Sequence, residues 1–413
     1  MQYASTDELK RVIPQKKITV RILYHHRTQG EEPESIHIAA VVDALRALGH
    51  TVQVIGPTPV QYRNDARQRR SLAGSVKQAV PRWAFELLQL LYNVVVYYRL
   101  AAAVRRFKPD LIYERYALFT WAGVALARRA RVPLILEVNT PYAQAWAKYY
   151  GLYLQRLARR IEVATLRTAS HVITVTAVQK RLLAEAGIAG QHISVCHNAI
   201  DPDWFHPQRH AAAALPTSVA AGAVVIGFVG TMNRWQGMPQ FPEVVRQVLD
   251  ACPSAHFLFV GDGEFRSMLE SFCQTQGYGA RVVFTGRLPH AQVPPLVQRM
   301  DIAVLLNSNA YGSPMKIFEY MGMARAIVAP SVAPVCEVLQ DGVNGLLIAP
   351  GDAGQMAAQI VRLVNDAPLR QRLGAAGRAS VVATHTWNRN AGAILQIYAA
   401  LQADQNASLV PQS

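Results

Sequence analysis

The chain predicts an α/β protein of two doubly wound domains, and three observations carry that expectation. Short apolar strands alternate with helical segments from residue 18 onward, and the alternation starts again beyond a Pro- and Ala-rich stretch near residue 210. A length of 413 residues exceeds one ordinary core and suits two domains of about 200 residues each. Hydrophobic residues at 51% and charged residues at 17% favour burial over disorder.

The first half opens with a buried strand at 18–24, a polar loop at 25–35 and a helix at 36–48 that Gly49 ends. Strands follow at 51–55, 111–113, 134–138 and 172–175, with helices between them. The second half restarts with strands at 223–229, 256–260, 282–285 and 302–306. A helix, a strand at 326–330, the glycine turn at 341–345 and another short strand complete it. The junction is expected within 203–221, giving domains at 1–205 and 206–385. The last helices, through Thr386 and Trp387 to about Leu401, are expected to form a closing segment, with a frayed tail from Gln402.

The formal net charge of +15 points to anionic partners. Much of the excess flanks one apolar run, 83–100: Arg63, Arg67, Arg69, Arg70, Lys77 and Arg82 precede it, and Arg105, Arg106 and Lys108 follow. Glu86, Gln89, Asn93 and Arg99 interrupt the run, making it too polar to span a bilayer comfortably. Two readings are open for 81–108: a segment lying in the interface of an anionic leaflet, or a core helix pair covering a sheet. Nucleic acid is not expected, because no binding motif accompanies the charge. Cys196, Cys252, Cys273 and Cys336 form no C-x-x-C pair and read as thiols of a reducing cytosol. The first seventeen residues hold no apolar signal segment, so a cytoplasmic protein is expected, peripheral on the inner face of the plasma membrane.

The most informative stretch is Tyr311-Gly-Ser-Pro-Met-Lys316-Ile-Phe-Glu319-Tyr-Met321. A lysine and a glutamate three apart lie on one helix face near an electropositive N-terminus. Glu319 can take a ribose diol while Lys316 and the N–H groups after Ser313 hold a diphosphate. The same spacing also suits a surface helix with an i,i+3 ion pair. Downstream come Ala326 to Pro330, Glu337, Asp341-Gly-Val-Asn-Gly345 and Pro350-Gly-Asp352, in the order of a doubly wound domain. Together these motifs closely resemble the donor-binding half of the retaining glycosyltransferases of family four, and the resemblance extends over nearly the whole chain.

That resemblance implies the GT-B fold: two Rossmann-like domains facing across a cleft, the nucleotide sugar in the C-terminal one and the acceptor in the N-terminal one. It implies transfer of a sugar to an acceptor hydroxyl with retention, without a metal, in cell-surface polysaccharide or lipid-linked glycan synthesis. It also implies that the segment 386–413 packs back toward the first domain. A GT-B sugar-nucleotide epimerase and a degenerate, non-catalytic binding partner remain alternatives.

Carried onto matching positions, the resemblance assigns donor contacts to Gly230, to Gly261, Asp262 and Gly263, and to Arg287 and Leu288 beside the base. It assigns further donor contacts to Tyr311, Gly312, Ser313, Pro314, Met315 and Glu319. Relatives carry an arginine and then lysine-glycine after the first strand of the donor domain; here Gln236 precedes Gly237, and Arg234 is taken as the substitute cation. Arg234 and Lys316 would stabilise the departing diphosphate. Many relatives place a histidine where Asn139 stands, close to the transferring sugar, and often a glutamate where Tyr311 stands. Asn139 can hydrogen-bond a sugar hydroxyl but cannot relay a proton. His25, His26, Arg27, Gly30, Ser35 and His37 occupy the loop assigned to the acceptor, with at most one of the two adjacent histidines facing the cleft. The turn His197-Asn198-Ala-Ile-Asp201 is read as structural.

Overall fold

The computed structural model describes residues 19–28, 34–57, 80–141, 143–144, 147, 151–214 and 222–409. The first half is a parallel sheet of β1 (Arg21–His25), β2 (Thr51–Ile55), β3 (Leu111–Arg115), β4 (Leu134–Val138), β5 (His171–Thr174) and β6 (Ile193–Val195), in the order 2-1-3-4-5-6. Its described helices are α1 (Glu34–Ala47), α2 (Arg82–Phe107), α3 (Ala122–Ala130), α4 (Gln155–Thr168) and α5 (Ala177–Glu185). Strands β3 and β4 are buried at every position, because helices cover both faces of a parallel sheet.

The second sheet has the order 12-11-10-7-8-9 and is likewise parallel. Its strands are β7 (Val224–Val229), β8 (Ala255–Val260), β9 (Val282–Gly286), β10 (Ile302–Val304), β11 (Ala326–Pro330) and β12 (Leu346–Ile348). Between them run α6 (Phe241–Ala251), α7 (Arg266–Thr275), α8 (Val293–Arg299), α9 (Met315–Gly322) and α10 (Ala333–Cys336). Two further helices, α11 (Ala353–Asn365) and α12 (Ala367–Thr384), follow, each opened by an aspartate that accepts a first-turn N–H: Asp352 from Gln355 at 2.9 Å, Asp366 from Leu369 at 2.9 Å.

Each sheet reverses direction next to its first strand, between β1 and β3 and between β7 and β10. Such switch points are where open α/β sheets leave room for ligands. Ile200 and Phe205 already pack in the second core, ahead of β7, and Arg378 of α12 donates to the Phe205 carbonyl at 2.9 Å.

The chain then crosses back. Ile200 pairs with Thr386, and α13 (Trp387–Leu409) lays Trp387, Ala391 and Ile394 into the core that α1 forms on the first sheet. The helix runs through Leu409 instead of fraying at Gln402, since residues 402–408 contain no glycine or proline to stop it.

The apolar run at 83–100 is one continuous helix, α2, of whose polar interruptions Glu86 and Asn93 are buried on the protein side while Arg99 is exposed. Glu86 accepts the N–H groups of Tyr153 at 3.0 Å and Leu154 at 2.8 Å. Asn93, fully buried, donates to the Phe119 carbonyl at 2.9 Å and accepts from Trp121 N–H at 3.1 Å. Val96, Leu100 and Ala103 enter the core. The opposite face carries Leu87, Leu91, Val94 and Tyr98 at helical spacing, together with Trp83, Leu88 and Val95, all exposed.

Candidate active site

On the donor side, β7 leads into Gly230 and β10 leads through residues 305–314 to α9, so the two loops emerge side by side at the switch point. Lys316 reaches across between them. Its Nζ hydrogen-bonds Gln236 Oε1 and stands 4.3 Å from the centre of the Phe228 ring. Gly230 has a φ of 138°, which residues with a side chain rarely adopt, and a Cβ there would lie 2.5 Å from that Nζ and push the ammonium aside. Burial lowers the Lys316 pKa to about 7, against a raising effect of Glu319.

Glu319, one turn along α9, is buried and accepts from His290 Nε2 at 2.9 Å. The lysine and glutamate thus engage Gln236 and His290 respectively, which is unlike a solvated surface helix.

Arg234, the substitute cation of the sequence reading, is exposed, with its guanidinium 5.3 Å over the Phe265 ring. Gln236 is the buried residue of that turn. The cation held at the switch point is therefore Lys316, delivered from the neighbouring loop.

Gly261 and Gly263 pack the β8 loop under the β7 loop: a Cβ on Gly261 would fall 2.0 Å from the Gly230 carbonyl oxygen. Asp262 is exposed and turns its carboxylate back to Gly263 N–H at 2.8 Å. Arg287 is exposed, while Leu288 packs against the second core. Tyr311 and Gly312 donate their N–H groups to Asn309 Oδ1. Ser313 Oγ is buried without a partner among the described residues, at the entrance to α9, and Met315 packs on the first core beyond Pro314.

On the acceptor side several of the side chains assigned from sequence are turned into the protein. His25 and His26 are both buried: His25 Nδ1 lies 2.7 Å from Glu114 Oε1, and the His26 ring covers Gly56. Burial, then His25 and Arg115, pull the His26 pKa down to about 4. Neither imidazole faces open space: His25 ends β1 against Glu114 of β3, and His26 follows it over the chain that leaves β2. Arg27 is drawn away to α2, donating to the Gln89 carbonyl at 3.1 Å and lying 5.1 Å over the Tyr92 ring.

His37 is also buried, with Nδ1 2.9 Å from Asn198 Oδ1 and Nε2 2.9 Å from Glu137 Oε1. Ser35 stands in the first turn of α1 with its Oγ buried and without a partner among the described residues. Gly30 lies outside the described residues.

Glu137 is the hub of this side. Tyr113 O–H donates to it at 2.5 Å, Arg115 at 2.9 Å and Asn139 Nδ2 at 2.5 Å. Burial alone would raise its pKa, but His37, Arg115 and Tyr113 hold it well below the usual carboxylate range. Asn139 is fixed further by Gln179, which donates to its main-chain carbonyl at 2.6 Å.

Sequence reasoning missed His290 and Thr176, and named Glu337 without its capping role. His290 has no local signal, since it meets Glu319 only through the fold. Thr176 was findable: Thr176-Ala-Val-Gln179 is a capping pair, and Thr176 Oγ1 accepts Gln179 N–H at 3.1 Å. Glu337 caps α5 from the other half, accepting Ala177 N–H at 2.8 Å.

Comparison with known proteins agrees with this geometry. Residues 35–204 match the model of Glycosyltransferase Family 4, and residues 223–366 match Glycosyl transferases group 1. The chain belongs to the family-four, group 1 glycosyltransferases.

It is similar to a 2-deoxystreptamine glucosyltransferase of Streptomyces kanamyceticus, 29% identical over 66% of this chain and 72% of that protein. It is also similar to a GDP-mannose-dependent alpha-mannosyltransferase of Mycolicibacterium smegmatis, 27% identical over 85% and 88%. With the sulfoquinovosyl transferase of Arabidopsis thaliana it shares 24% identity, over 68% of this chain and about half, 54%, of that protein. Among solved structures, Anabaena HepE in complex with UDP superposes with a TM-score of 0.67 at 17% identity, covering 92% of this chain and 100% of that one. A Rickettsia africae glycosyltransferase gives 0.69 at 16%, covering 93% and 99%.

The fold of this family-four glycosyltransferase is GT-B, and its reaction is transfer of a sugar from a nucleotide sugar with retention.

Proposed function

We propose that this glycosyltransferase works on the anionic cytoplasmic face of the plasma membrane, adding a sugar to a hydroxyl of a lipid-linked or cell-surface glycan, and that it needs no metal. The donor is a nucleoside diphosphate sugar whose diphosphate meets Lys316 and the N-terminus of α9 and whose ribose meets Glu319.

The exposed face of α2 carries the membrane reading. Tyr98 is 70%, Leu91 63% and Trp83 52% exposed, and Tyr153, whose N–H is held by Glu86, is 69% exposed. Burying such side chains in the acyl boundary yields about 1.5–3 kcal/mol each at most. Arg82, Arg99, Arg105, Arg106 and Lys108 on α2 and its cap, and Arg156, Arg159 and Arg160 on α4, are exposed around them, matching anionic headgroups. Arg63, Arg67, Arg69, Arg70 and Lys77 lie outside the described residues, in the stretch that leads directly into α2. Each basic residue near the surface adds about 1 kcal/mol.

The test is sedimentation with vesicles. Phosphatidylglycerol-containing vesicles should bind the protein with steep salt dependence, and Leu91→Glu with Tyr98→Glu should release it. Equal binding to neutral vesicles, or none to either, would overturn the membrane reading. A donor screen beginning with UDP-glucose and GDP-mannose, with and without EDTA, tests the chemistry; loss of turnover in EDTA would refute the metal-free part.

A further inference from the structure

The side chain of Asn198 spans the two halves of the molecule. Its Nδ2 donates to the Ser313 carbonyl at 2.6 Å, and its Oδ1 faces His37 Nδ1 at 2.9 Å. A backbone carbonyl only accepts, so the Ser313 contact fixes which way the amide points, and His37 must donate to it. His37 is in turn seated against Glu137, the hub of the acceptor half. Nearby, Thr176 Oγ1 donates to the Tyr311 carbonyl at 2.8 Å.

Two carbonyls of the loop leading to α9 are therefore held by side chains of the first half, whereas its N–H groups at 311 and 312 are held by its own Asn309. Contact runs the other way as well. Glu337 of the second half accepts Ala177 N–H at 2.8 Å and Val178 N–H at 3.3 Å, the first free donors of α5, and lies 3.6 Å from His197 Nδ1.

These contacts divide the donor site. The partners seen for Lys316 and Glu319, namely Gln236, Phe228 and His290, all belong to the second half. The backbone at 311–313, one turn ahead of Lys316, is held at two carbonyls by the first. Tyr311 stands where relatives often have a sugar-binding glutamate, so this backbone is left to contact the transferred sugar.

We propose that Asn198 and Thr176 are positioning residues that complete the sugar end of the donor site from the acceptor half, leaving the nucleotide end to the second half alone. The inference rests on the donor reading above. It couples productive sugar placement to the presence of a seated acceptor half, while nucleoside diphosphate binding stays independent of it.

The experiment uses the full-length protein and the variants Asn198→Ala, Asn198→Asp and Thr176→Val, with Thr176→Ser as the control that keeps the hydroxyl. Asn198→Asp retains the shape and the His37 contact but cannot donate to Ser313, so it decides the matter if the alanine variant folds poorly. Hydrogen exchange in ligand-free protein should rise at least tenfold at residues 311–313 and stay unchanged in α9, β7 and β8. Calorimetry with UDP should give affinities within twofold of wild type, while kcat with UDP-glucose falls at least tenfold and Thr176→Ser keeps the wild-type rate. Unchanged exchange at 311–313, or a parallel fall of kcat and UDP affinity, would overturn the proposal. Failure of the donor reading shows separately, as unchanged UDP affinity in Glu319→Gln.

Discussion

At Lys316 a cation is kept partly out of water, with Gln236 and the Phe228 ring against its Nζ. Burial lowers its pKa to about 7, so the free protein holds this proton less firmly than an exposed lysine does, and a bound diphosphate restores it. The sign follows: the bound diphosphate favours the protonated amine, so affinity for UDP should be full below pH 7 and fall as pH rises through and above it. Binding at pH 8 should take up a proton, which calorimetry in buffers of different ionisation enthalpy measures. Lys316→Ala should remove this dependence and cost roughly 3 kcal/mol of transition-state stabilisation, on the order of 100-fold in kcat. Arg234→Ala should cost less, because its guanidinium lies over Phe265 in solvent. Gln236→Lys replaces the amide that accepts from Lys316 with a second ammonium, so it should lower the Tm of the free protein and recover with UDP. Glu319→Gln should weaken UDP binding by about 2 kcal/mol, since a charge-assisted acceptor is lost while the His290 contact can persist.

At the scale of elements, α2 shows how a helix with apolar residues on both sides is fixed by its few polar ones. Asn93 holds the carbonyl of Phe119, a buried residue at a φ of 63° that non-glycine residues seldom adopt. Asn93→Leu should therefore cost about 2 kcal/mol or more in urea unfolding, by orphaning the Trp121 N–H and releasing the Phe119 turn. The strands at 134–138 and 326–330 were legible to the residue, because buried parallel strands are largely apolar runs bounded by turns, and the half-exposed edge strand at 51–55 was legible from its β-branched residues just after the Gly49 stop. β6 was not, since Ile193-Ser-Val195 is a three-residue edge strand with one polar member. Lys316 and Glu319 were legible from their spacing on one helix. The histidines of the acceptor loop misled, because a polar residue at a strand end reads alike whether it meets a ligand or, like His25, a buried carboxylate 89 residues away.

Across the whole molecule the two halves are joined twice, through the segment after β6 and through the return of α12 into α13. The second junction is anchored by Ile200 against Thr386 and by Arg378, which donates to Phe205 and Gly322 carbonyls. The two junctions differ in what they protect. Residues of the second core come from β7 to α12 together with Ile200 and Phe205, so that core is complete without α13. One core of the first half is not: Trp387, Ala391 and Ile394 fill the face of α1 lined by Val41, Val42 and Leu45. Removing residues 387–413 should therefore unfold the first half selectively. Trp387→Ala alone should cost about 3–5 kcal/mol there. Calorimetry of the truncated chain should show the second half melting near its original temperature, with UDP still raising that Tm, while the first half's transition moves down or disappears. A single transition that shifts as a unit would mean the halves fold as one cooperative body, and the division of labour between a self-sufficient donor half and a dependent acceptor half would be wrong.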